Sequence, residues 1–413
     1  MEKRHLLALA IWAIIYFTLN IYNVTGLLFV IPIVLFIVAI RNPILAISMW
    51  LITLPLGEYA FQNLFHLNRG LLLIGLLIRL IFSKRAVINK KLALFIVIFL
   101  FLSIVNLWIN NDSVILGEYF FLYNSLGLFF FIIHFYVKSN NKSVDYLLMG
   151  LIIGAVTIAG AVLMQFDSSM LYGRLSFNQS IRGLANGLAL PVLILYMNIL
   201  NPNHLNIKNL NRVWSISFFM LFSLFLILTD SRGAIMPLFL SGFIYTVLSL
   251  NLRVIKNIFK WLIPTVIGVI YAFVYFDFSS RFRLRLIDFD SNHRFEIWGN
   301  SIGVFFNENL PNIIFGGGLG SFERYSMTGY GVGTYAHSVF LDGLVSFGIM
   351  GFTTLVFLIG YLFMISLKSK NTVALSVLIF TVLTFSTHGN LQHNLFWVYT
   401  ALIYILCDSK IEK

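Results

Sequence analysis

Charged residues and cysteine are both scarce in this 413-residue chain, and each scarcity excludes classes of protein. Only 11% of the residues are charged, against about 25% in a soluble globular domain. With 59% of its residues apolar, a water-soluble fold could not hide the apolar surface. The single cysteine, Cys407, permits no internal disulfide and no cysteine metal cluster. A soluble enzyme, a nucleic-acid-binding protein and a disulfide-stapled secreted module are therefore excluded.

Long apolar runs predict an all-α polytopic membrane protein with about fourteen transmembrane helices, or at least twelve. A membrane helix needs about 20 mainly apolar residues. The third and fourth runs are short enough to be tilted, re-entrant or interfacial. The first run follows Lys3 and Arg4 like a signal peptide, but no small-residue cleavage site follows it, so we expect a retained helix. The predicted spans cover roughly residues 6–22, 24–40, 43–57, 69–83, 91–109, 117–137, 144–165, 183–200, 213–229, 233–250, 259–276, 337–366, 371–387 and 391–407.

The basic residues orient these spans, because Lys and Arg concentrate in the cytoplasmic loops of membrane proteins. With a cytoplasmic N-terminus, every lysine falls on the cytoplasmic side, whereas a count wrong by one span would mix the lysines across both sides. We therefore predict that both termini are cytoplasmic and that the net charge of +12 reflects orientation. Residues 1–276 form spans one to eleven, 277–336 a large extracytoplasmic loop, and 337–413 the last three spans.

The predicted outer side carries arginines without lysines. A guanidinium group grips phosphate or carboxylate through two parallel hydrogen bonds. Any one of these arginines can instead pair with an outer acid such as Glu58, Asp230 or Glu323. For the set as a whole, we predict an anionic ligand on the outer face. The outer arginines are Arg69, Arg174, Arg182, Arg232, Arg281, Arg283, Arg285, Arg294 and Arg324.

The predicted outer loop, residues 277–336, is long for a compact bundle, and such loops are usually functional. Residues 281–285 alternate basic and apolar side chains, which fits a short strand or a stretch lying on lipid headgroups. The pattern of residues 293–306 predicts an amphipathic helix with Arg294 and Trp298 on one face. The glycine cluster at 316–320 matches neither a P-loop nor a dinucleotide fingerprint, so we interpret it as a turn.

His337 lies at the predicted boundary between this loop and the twelfth span. A histidine at that depth is suited to proton exchange near neutral pH, although an interfacial structural histidine has the same sequence pattern. Asp342 follows five residues later, about 140° around a helix, so we do not expect it to support His337 directly. Ser338 and Asp342, four residues apart, share a face.

Two further arginines lie at predicted outer span ends. Arg232 occupies a tight turn that closes the ninth span, and Arg182 opens the eighth span ahead of Asn186. Charged residues at span ends that face the same side are typical of residues that line a substrate or ion pathway. In the last outer loop, His388 and His393 form only a weak metal motif, because they are five residues apart and lack nearby acids. We predict no metal site.

The combination resembles the bacterial O-antigen polymerase and ligase superfamily, which contains Wzy-type polysaccharide polymerases and WaaL-type ligases. Residues 229–234 resemble its arginine turn, and residues 294–298 with 314–320 resemble its arginine–tryptophan helix and glycine turn. Residues 337–351 resemble its histidine entering a span with two later glycines, while 182–187 form a fainter match. The motifs cover roughly residues 180–360, and Ser338 stands where many members have asparagine.

The resemblance implies metal-independent glycosyl transfer, with no cofactor, on the outer face of the bacterial cytoplasmic membrane. The donor would be a glycan on undecaprenyl pyrophosphate, the acceptor a sugar hydroxyl of another glycan, and a chain-length regulator a further partner beside the membrane lipids. The implied catalytic residues are His337 as the base, with Arg232 and Arg294 at the pyrophosphate. The implied substrate-binding residues are Arg182, Arg232, Arg294, Trp298 and Ser338.

Three functions stay open at this point. Fourteen spans and Ser338 favour a polymerase of lipid-linked repeat units over an O-antigen ligase, which would transfer the glycan to lipid A-core. A flippase or other transporter of lipid-linked oligosaccharides should show mid-membrane charges and inverted repeats. Arg79, near the inner end of its span, is the charge that we place within a span, and we find no evident repeat.

Overall fold

The structure, a computed structural model, is helical throughout nearly all of the chain that it describes. A minimal antiparallel hairpin, β1 (Met170–Leu171) and β2 (Arg174–Leu175), interrupts the helices. The described residues are 3–22, 29–60, 62–83, 90–109, 116–137, 144–164, 170–171, 174–175, 181–205, 207, 210–275, 294–330, 336–387, 389, 391 and 393–411.

The helices are numbered in chain order. Those before the hairpin are α1 (Lys3–Ile21), α2 (Val30–Arg41), α3 (Pro43–Ala60), α4 (Gln62–Ile81), α5 (Lys90–Ile109), α6 (Leu116–Val137) and α7 (Val144–Met164). Those that follow it as far as residue 275 are α8 (Ile181–Leu200), α9 (Pro202–Leu205), α10 (Arg212–Leu228), α11 (Arg232–Leu248), α12 (Leu252–Asn257) and α13 (Ile263–Tyr275), with a π-helical turn, Ile258–Leu262, between the last two. The remaining helices are α14 (Arg294–Phe306), α15 (Leu310–Phe315), α16 (Ser321–Tyr330), α17 (Val339–Lys368), α18 (Thr372–Thr387) and α19 (Asn394–Ile411).

Every predicted span overlaps a helix, so the predicted α-helical class is confirmed. Within the described residues, five helices are long and apolar enough to cross a membrane, and seven shorter helices are also apolar. The architecture is that of an α-helical membrane protein. The number of crossings and their orientation stay predictions. The five long candidates are Lys90–Ile109, Tyr119–Val137, Val144–Met164, Leu252–Tyr271 and Val339–Lys368.

The helices pack closely in pairs, including α2 with α4, α3 with α7, α8 with α10 and α11 with α18. Small residues allow this approach, as is usual where apolar helices meet. A Cβ atom on Gly75 of α4 would lie 2.8 Å from the Phe36 carbonyl of α2. A Cβ atom on Gly150 of α7 would lie 2.9 Å from the Ser48 carbonyl of α3.

The fourth helix begins earlier than the apolar pattern indicates. The predicted span starts at residue 69, but α4 starts at Gln62 and contains Arg69 as a buried residue. Hydropathy places a charge at a span end, whereas the bundle here holds the guanidinium in its interior through polar partners. Arg69 is therefore a packed residue of the helix rather than a residue that precedes it.

The segment between α13 and α17 carries the three short helices α14, α15 and α16. The amphipathic helix predicted for residues 293–306 is confirmed as α14. A second, smaller core joins this segment to α17, and it contains Phe305, Phe322, Tyr325, Ala336 and Val345. The residues that precede and begin α17 are thus packed against this segment, which positions the candidate site.

Candidate functional site

The two helices that carry Arg182 and Arg232 in their first turns start at the same end of the bundle. The hydroxyl of Tyr196 in α8 lies 2.5 Å from that of Thr246 in α11. Tyr196 follows Arg182 by as many residues as Thr246 follows Arg232. The Asn257 amide, shortly after α11 ends, donates to the carbonyl of Leu200, the last residue of α8, so the two helices run in the same direction. Since both rise about 1.5 Å per residue, the backbones of the two arginines lie at one level. We call this level the site end of the bundle.

Helices α19 and α17 also begin at the site end. The Tyr399 hydroxyl of α19 donates to the carbonyl of Asn186, near the start of α8, at 3.1 Å. The backbone N–H of Leu391, just before α19, donates to the Asp342 carboxylate in the first turn of α17 at 2.9 Å. The starts of α8, α11, α17 and α19 are therefore gathered at one end.

His337 is half-buried immediately before α17 and has a left-handed backbone conformation, with φ 49°. Non-glycine residues adopt this region at a cost of about 1–3 kcal/mol, and they do so where the surroundings hold them. Here the residue before and the residue after are both fixed. The indole N–H of Trp298 donates to the Ala336 carbonyl at 2.8 Å. Ser338 is the N-cap of α17, and its hydroxyl accepts from the backbone N–H of Leu341 at 3.4 Å.

Trp298 connects the candidate base to the helix that carries Arg294. It lies on α14, half-buried, with its ring edge-on to Phe295 at 5.6 Å between centroids. Its one hydrogen-bond donor is engaged by Ala336, the residue before His337. The contact therefore holds α14 against the start of α17.

Asp342 stabilises the site end through its carboxylate and its backbone N–H. Its carboxylate accepts from the Ser346 hydroxyl at 3.1 Å and from the Leu391 backbone N–H at 2.9 Å. Its own backbone N–H donates to the Ser338 carbonyl, as expected one turn apart in a helix. The carboxylate lies in the first turn of α17, where the helix dipole favours negative charge. It ties the last loop to α17.

Arg232 opens α11 directly after a tight turn, as the sequence predicts. The N–H of Asp230 donates to the Ile227 carbonyl at 2.9 Å, and Asp230 has a positive φ of 48°. Thr229, Asp230 and Ser231 are all buried, whereas Arg232 is half-buried. The turn thus places the guanidinium-bearing residue at the edge of the buried bundle.

The other predicted outer arginines fall into three groups. The backbones of Arg174, Arg182 and Arg294 lie in β2 and in the first turns of α8 and α14, but their side chains lie outside the described residues. Residues 281–285 also lie outside them. Two of the predicted outer arginines have structural partners. Arg69 donates to the Asn394 side chain at 2.6 Å and lies over the Phe121 ring, while Arg324 donates to the Gly317 carbonyl at 2.6 Å.

The glycine cluster at 316–320 forms the predicted turn, and it completes a break in α17. Gly348 within α17 has φ 67° and ψ −166°, which interrupts the helix. A continuous helix would bond the carbonyls of residues 345 and 346 to residues 349 and 350. The N–H groups of Gly317 and Gly318 donate to these two carbonyls, at 3.0 and 3.1 Å. The amides that could have cradled a phosphate are therefore occupied by α17.

Asn106 also contacts the break in α17 and the glycine turn, and the sequence does not single it out. It is fully buried near the end of α5, and its amide donates to the carbonyls of Phe315 at 2.7 Å and Ser346 at 3.2 Å. We call Asn106, Gly316–Gly318 and Gly348 the glycine latch. An amide in an otherwise apolar span is a sequence signal for helix-to-helix hydrogen bonding, although it does not identify the partner.

Tyr325 of α16 adds a neutral hydrogen-bond donor beside the latch. Burial raises its pKa to about 12, and the nearby Glu308 carboxylate acts in the same direction. The phenol consequently stays protonated at every physiological pH and hydrogen-bonds to Glu308. Among the described residues, no group of three or more His, Cys, Asp or Glu side chains is arranged to hold a metal ion.

No protein-family model and no curated protein sequence matches the chain. The class that the fold defines is an α-helical membrane protein with a polar site end.

Proposed function

We propose that the protein is an extracytoplasmic glycosyltransferase of the O-antigen polymerase and ligase superfamily, acting as a Wzy-type polymerase of lipid-linked repeat units. The contact between Trp298 and Ala336 carries this proposal, because it places the helix of Arg294 against His337. The common level of Arg182 and Arg232 at the site end adds two further cations. A histidine beside several arginines suits proton transfer next to a leaving pyrophosphate.

The proposed membrane arrangement has fourteen crossings, with both termini in the bacterial cytoplasm and the site end on the outer face of the cytoplasmic membrane. It rests on the placement of every lysine on the predicted inner side, which leaves arginine as the basic residue type of the predicted outer side. In this arrangement, the polyprenyl tail of the donor lies in the bilayer and its glycan reaches the site end. The acceptor glycan approaches from outside.

The proposed reaction transfers a glycan from undecaprenyl pyrophosphate to a sugar hydroxyl. His337 accepts the proton of the acceptor hydroxyl as the oxygen forms a bond to the anomeric carbon. The bond from that carbon to the pyrophosphate breaks, and the pyrophosphate leaves with the electron pair. Arg232 and Arg294 stabilise the charge that develops on it, with Arg182 as a third cation, and Trp298 and Ser338 lie beside the base.

The test is polymerisation of purified lipid-pyrophosphate-linked repeat units in liposomes, with the products resolved by gel. We expect a ladder of lengthening glycans without added nucleotide or metal. His337→Ala should slow its formation about 10²–10⁴-fold, and Arg294→Ala about 10²–10³-fold. Transfer that occurs only after lipid A-core is added would identify the ligase alternative, and no transfer with either acceptor would favour a transporter.

Two variants at the opposite end of the bundle control for loss of the same side-chain types. His204→Gln removes an imidazole that bonds the Tyr245 hydroxyl, and Arg79→Gln removes an exposed guanidinium. Both should polymerise at the wild-type rate. Wild-type rates in His337→Ala and Arg294→Ala, at equal expression, would show that the catalytic assignments are wrong.

A further inference from the structure

The opposite end of the bundle, which we call the far end, carries a basic and aromatic patch. The Asn257 amide donates to the carbonyl of Leu200, the last residue of α8, at 2.6 Å. The Asn198 amide donates to the Ser215 hydroxyl at the start of α10, at 2.8 Å. The end of α8, the start of α10 and the helix running through residues 252–262 therefore meet at the far end.

Trp261 is the centre of this patch. The guanidinium carbon of Arg212 lies 5.4 Å and the ammonium nitrogen of Lys260 lies 4.9 Å from the centre of its ring. Both cations are attracted by the negative ring face. Arg253 and Lys256, which are exposed, lie earlier on the same helix. Because residues 253, 256 and 260 are three and four apart, their side chains follow one face.

The segments that build the patch supply no compensating negative charge. Residues 168–229 and 231–276 contain neither aspartate nor glutamate. The general tendency of basic residues to lie in cytoplasmic loops accounts for such a cluster as an orientation signal. It does not explain which hydrogen bonds the side-chain N–H groups of the patch make or lack.

Within the part of the chain that the structure describes, two buried N–H donors in the patch have no hydrogen-bond acceptor. They are the Nε–H of Arg212 and the indole Nε1–H of Trp261. Buried donors in proteins nearly always have a partner, and the exceptions call for an explanation such as a missing ligand. Two unsatisfied donors among four cations call for an anionic oxygen.

The surroundings of the patch favour a lipid as the source of that oxygen. The side chains of Trp214, Leu252 and Phe259 are strongly exposed beside it, and Leu252 is 85% exposed. Tryptophan and basic residues are typical of the level at which phospholipid headgroups lie. An acyl chain would cover the exposed apolar side chains, which free inorganic phosphate would leave in water.

We propose that Arg212, Arg253, Lys256, Lys260 and Trp261 bind the phosphate headgroup of an anionic phospholipid at the far end. Arg212 and Trp261 donate hydrogen bonds to the phosphate oxygens, and the lysines and Arg253 neutralise its charge. The exposed apolar side chains contact the acyl chains. The site is independent of the glycosyl-transfer chemistry proposed for the site end.

Native mass spectrometry of the full-length protein in neutral detergent tests this site. The protein is titrated with phosphatidylglycerol, with phosphatidylcholine and with inorganic phosphate. We expect one phosphatidylglycerol to bind at least about tenfold more tightly than phosphatidylcholine. Arg212→Gln/Lys260→Gln should weaken it about thirtyfold, since each basic residue contributes about 1 kcal/mol to anionic-lipid attraction. Trp261→Phe, which keeps a ring but loses the N–H, should weaken it about fivefold.

The matched control is Lys91→Gln/Lys368→Gln, which removes the same charge from the far end outside the patch. Lys91 lies over the Tyr361 ring at 5.4 Å, and Lys368 ends α17. This variant should bind phosphatidylglycerol within about twofold of the wild type. Equal affinity in wild type and Arg212→Gln/Lys260→Gln would overturn the proposal, as would displacement of the lipid by an equal concentration of inorganic phosphate. Unchanged thermal unfolding of the variants without lipid shows that they are folded.

Discussion

The backbone of His337 is constrained by its two neighbours in the chain rather than by its own conformational preference. Ala336 is held through its carbonyl by Trp298, and Ser338 caps the first turn of α17. A left-handed conformation at a non-glycine residue persists when such contacts determine it. Trp298 is thus a positioning residue for His337 in the proposed reaction.

Trp298→Phe tests this positioning role, because it keeps the ring and removes the N–H that bonds Ala336. One hydrogen bond contributes about 0.5–1.5 kcal/mol, so we expect kcat for polymerisation to fall about 2–13-fold. The KM for the lipid-linked repeat should stay at its wild-type value. Initial rates over a range of repeat-unit concentrations separate the two parameters.

The control is Trp108→Phe, which makes the same change at an 83% exposed position near the end of α5. Its kinetics should match the wild type. A raised KM with unchanged kcat in Trp298→Phe would indicate that this tryptophan contacts the glycan itself and does not position His337.

Residue types at the site could be predicted from the sequence, but their partners could not. His337, Arg232 and Trp298 stand out in the sequence because they are polar or aromatic residues at the ends of apolar runs or between them. The contact of Trp298 with Ala336 and that of Asn106 with Ser346 join distant parts of the chain. Such pairs depend on how the helices assemble, which no local pattern encodes. Arg69 shows the same limit, since its partner Asn394 belongs to the last helix.

At the scale of the element, every predicted span overlaps a helix, so the apolar runs were sufficient to locate the helices. Helix ends were less predictable. The apolar run begins at the charged residue Arg69, but the backbone hydrogen bonds of α4 begin earlier, at Gln62. The break in α17 was also missed. Glycine is common in apolar membrane helices, so Gly348 does not stand out in the sequence. It breaks α17 at the point where N–H groups of the glycine latch donate to the carbonyls of α17.

Gly348→Ala tests whether the latch requires glycine at the break. A Cβ atom there would lie 2.3 Å from the Ile314 carbonyl oxygen and 2.6 Å from the Gly316 nitrogen, at a φ of 67°. Because backbone must move to make room, we expect the variant to lose roughly 1–3 kcal/mol of stability. A lower midpoint of thermal unfolding in detergent would show this.

Gly360→Ala is the control within the same helix, since a Cβ atom there meets nothing within 4 Å. It should be neutral or stabilise the protein by about 0.5–1 kcal/mol, as alanine does in helix interiors. Equal unfolding midpoints for the two variants would contradict the packing described for the latch.

At the scale of the whole molecule, the two ends of the bundle differ in charge chemistry. The site end gathers the starts of α8, α11, α17 and α19, the first two of which carry Arg182 and Arg232, and the far end carries the cation-flanked Trp261. Charge segregation in the sequence predicted two distinct sides. The bundle contacts place the arginine-bearing helix starts together, while the direction in which the bundle crosses the membrane stays a prediction.

Single-cysteine labelling tests that direction. Cys407 is buried, so Cys407→Ser gives a background in which one new thiol reports its own position. A membrane-impermeant maleimide added to intact cells should label Ser291→Cys in the predicted outer loop. It should not label Lys3→Cys or Lys370→Cys until the cells are opened. The reverse pattern, or labelling of all three from outside, would contradict the proposed orientation.

The glycine latch also bears on the order in which the protein is made. Asn106 and the glycine turn precede Val339–Lys368 in the chain, so both leave the ribosome before the helix that they complete. The carbonyls of residues 345 and 346 lack partners within the helix at its break. The N–H groups of Gly317 and Gly318 and the amide of Asn106, which donate to them, are therefore made first. The structure of α17 thus depends on a segment that is made before it.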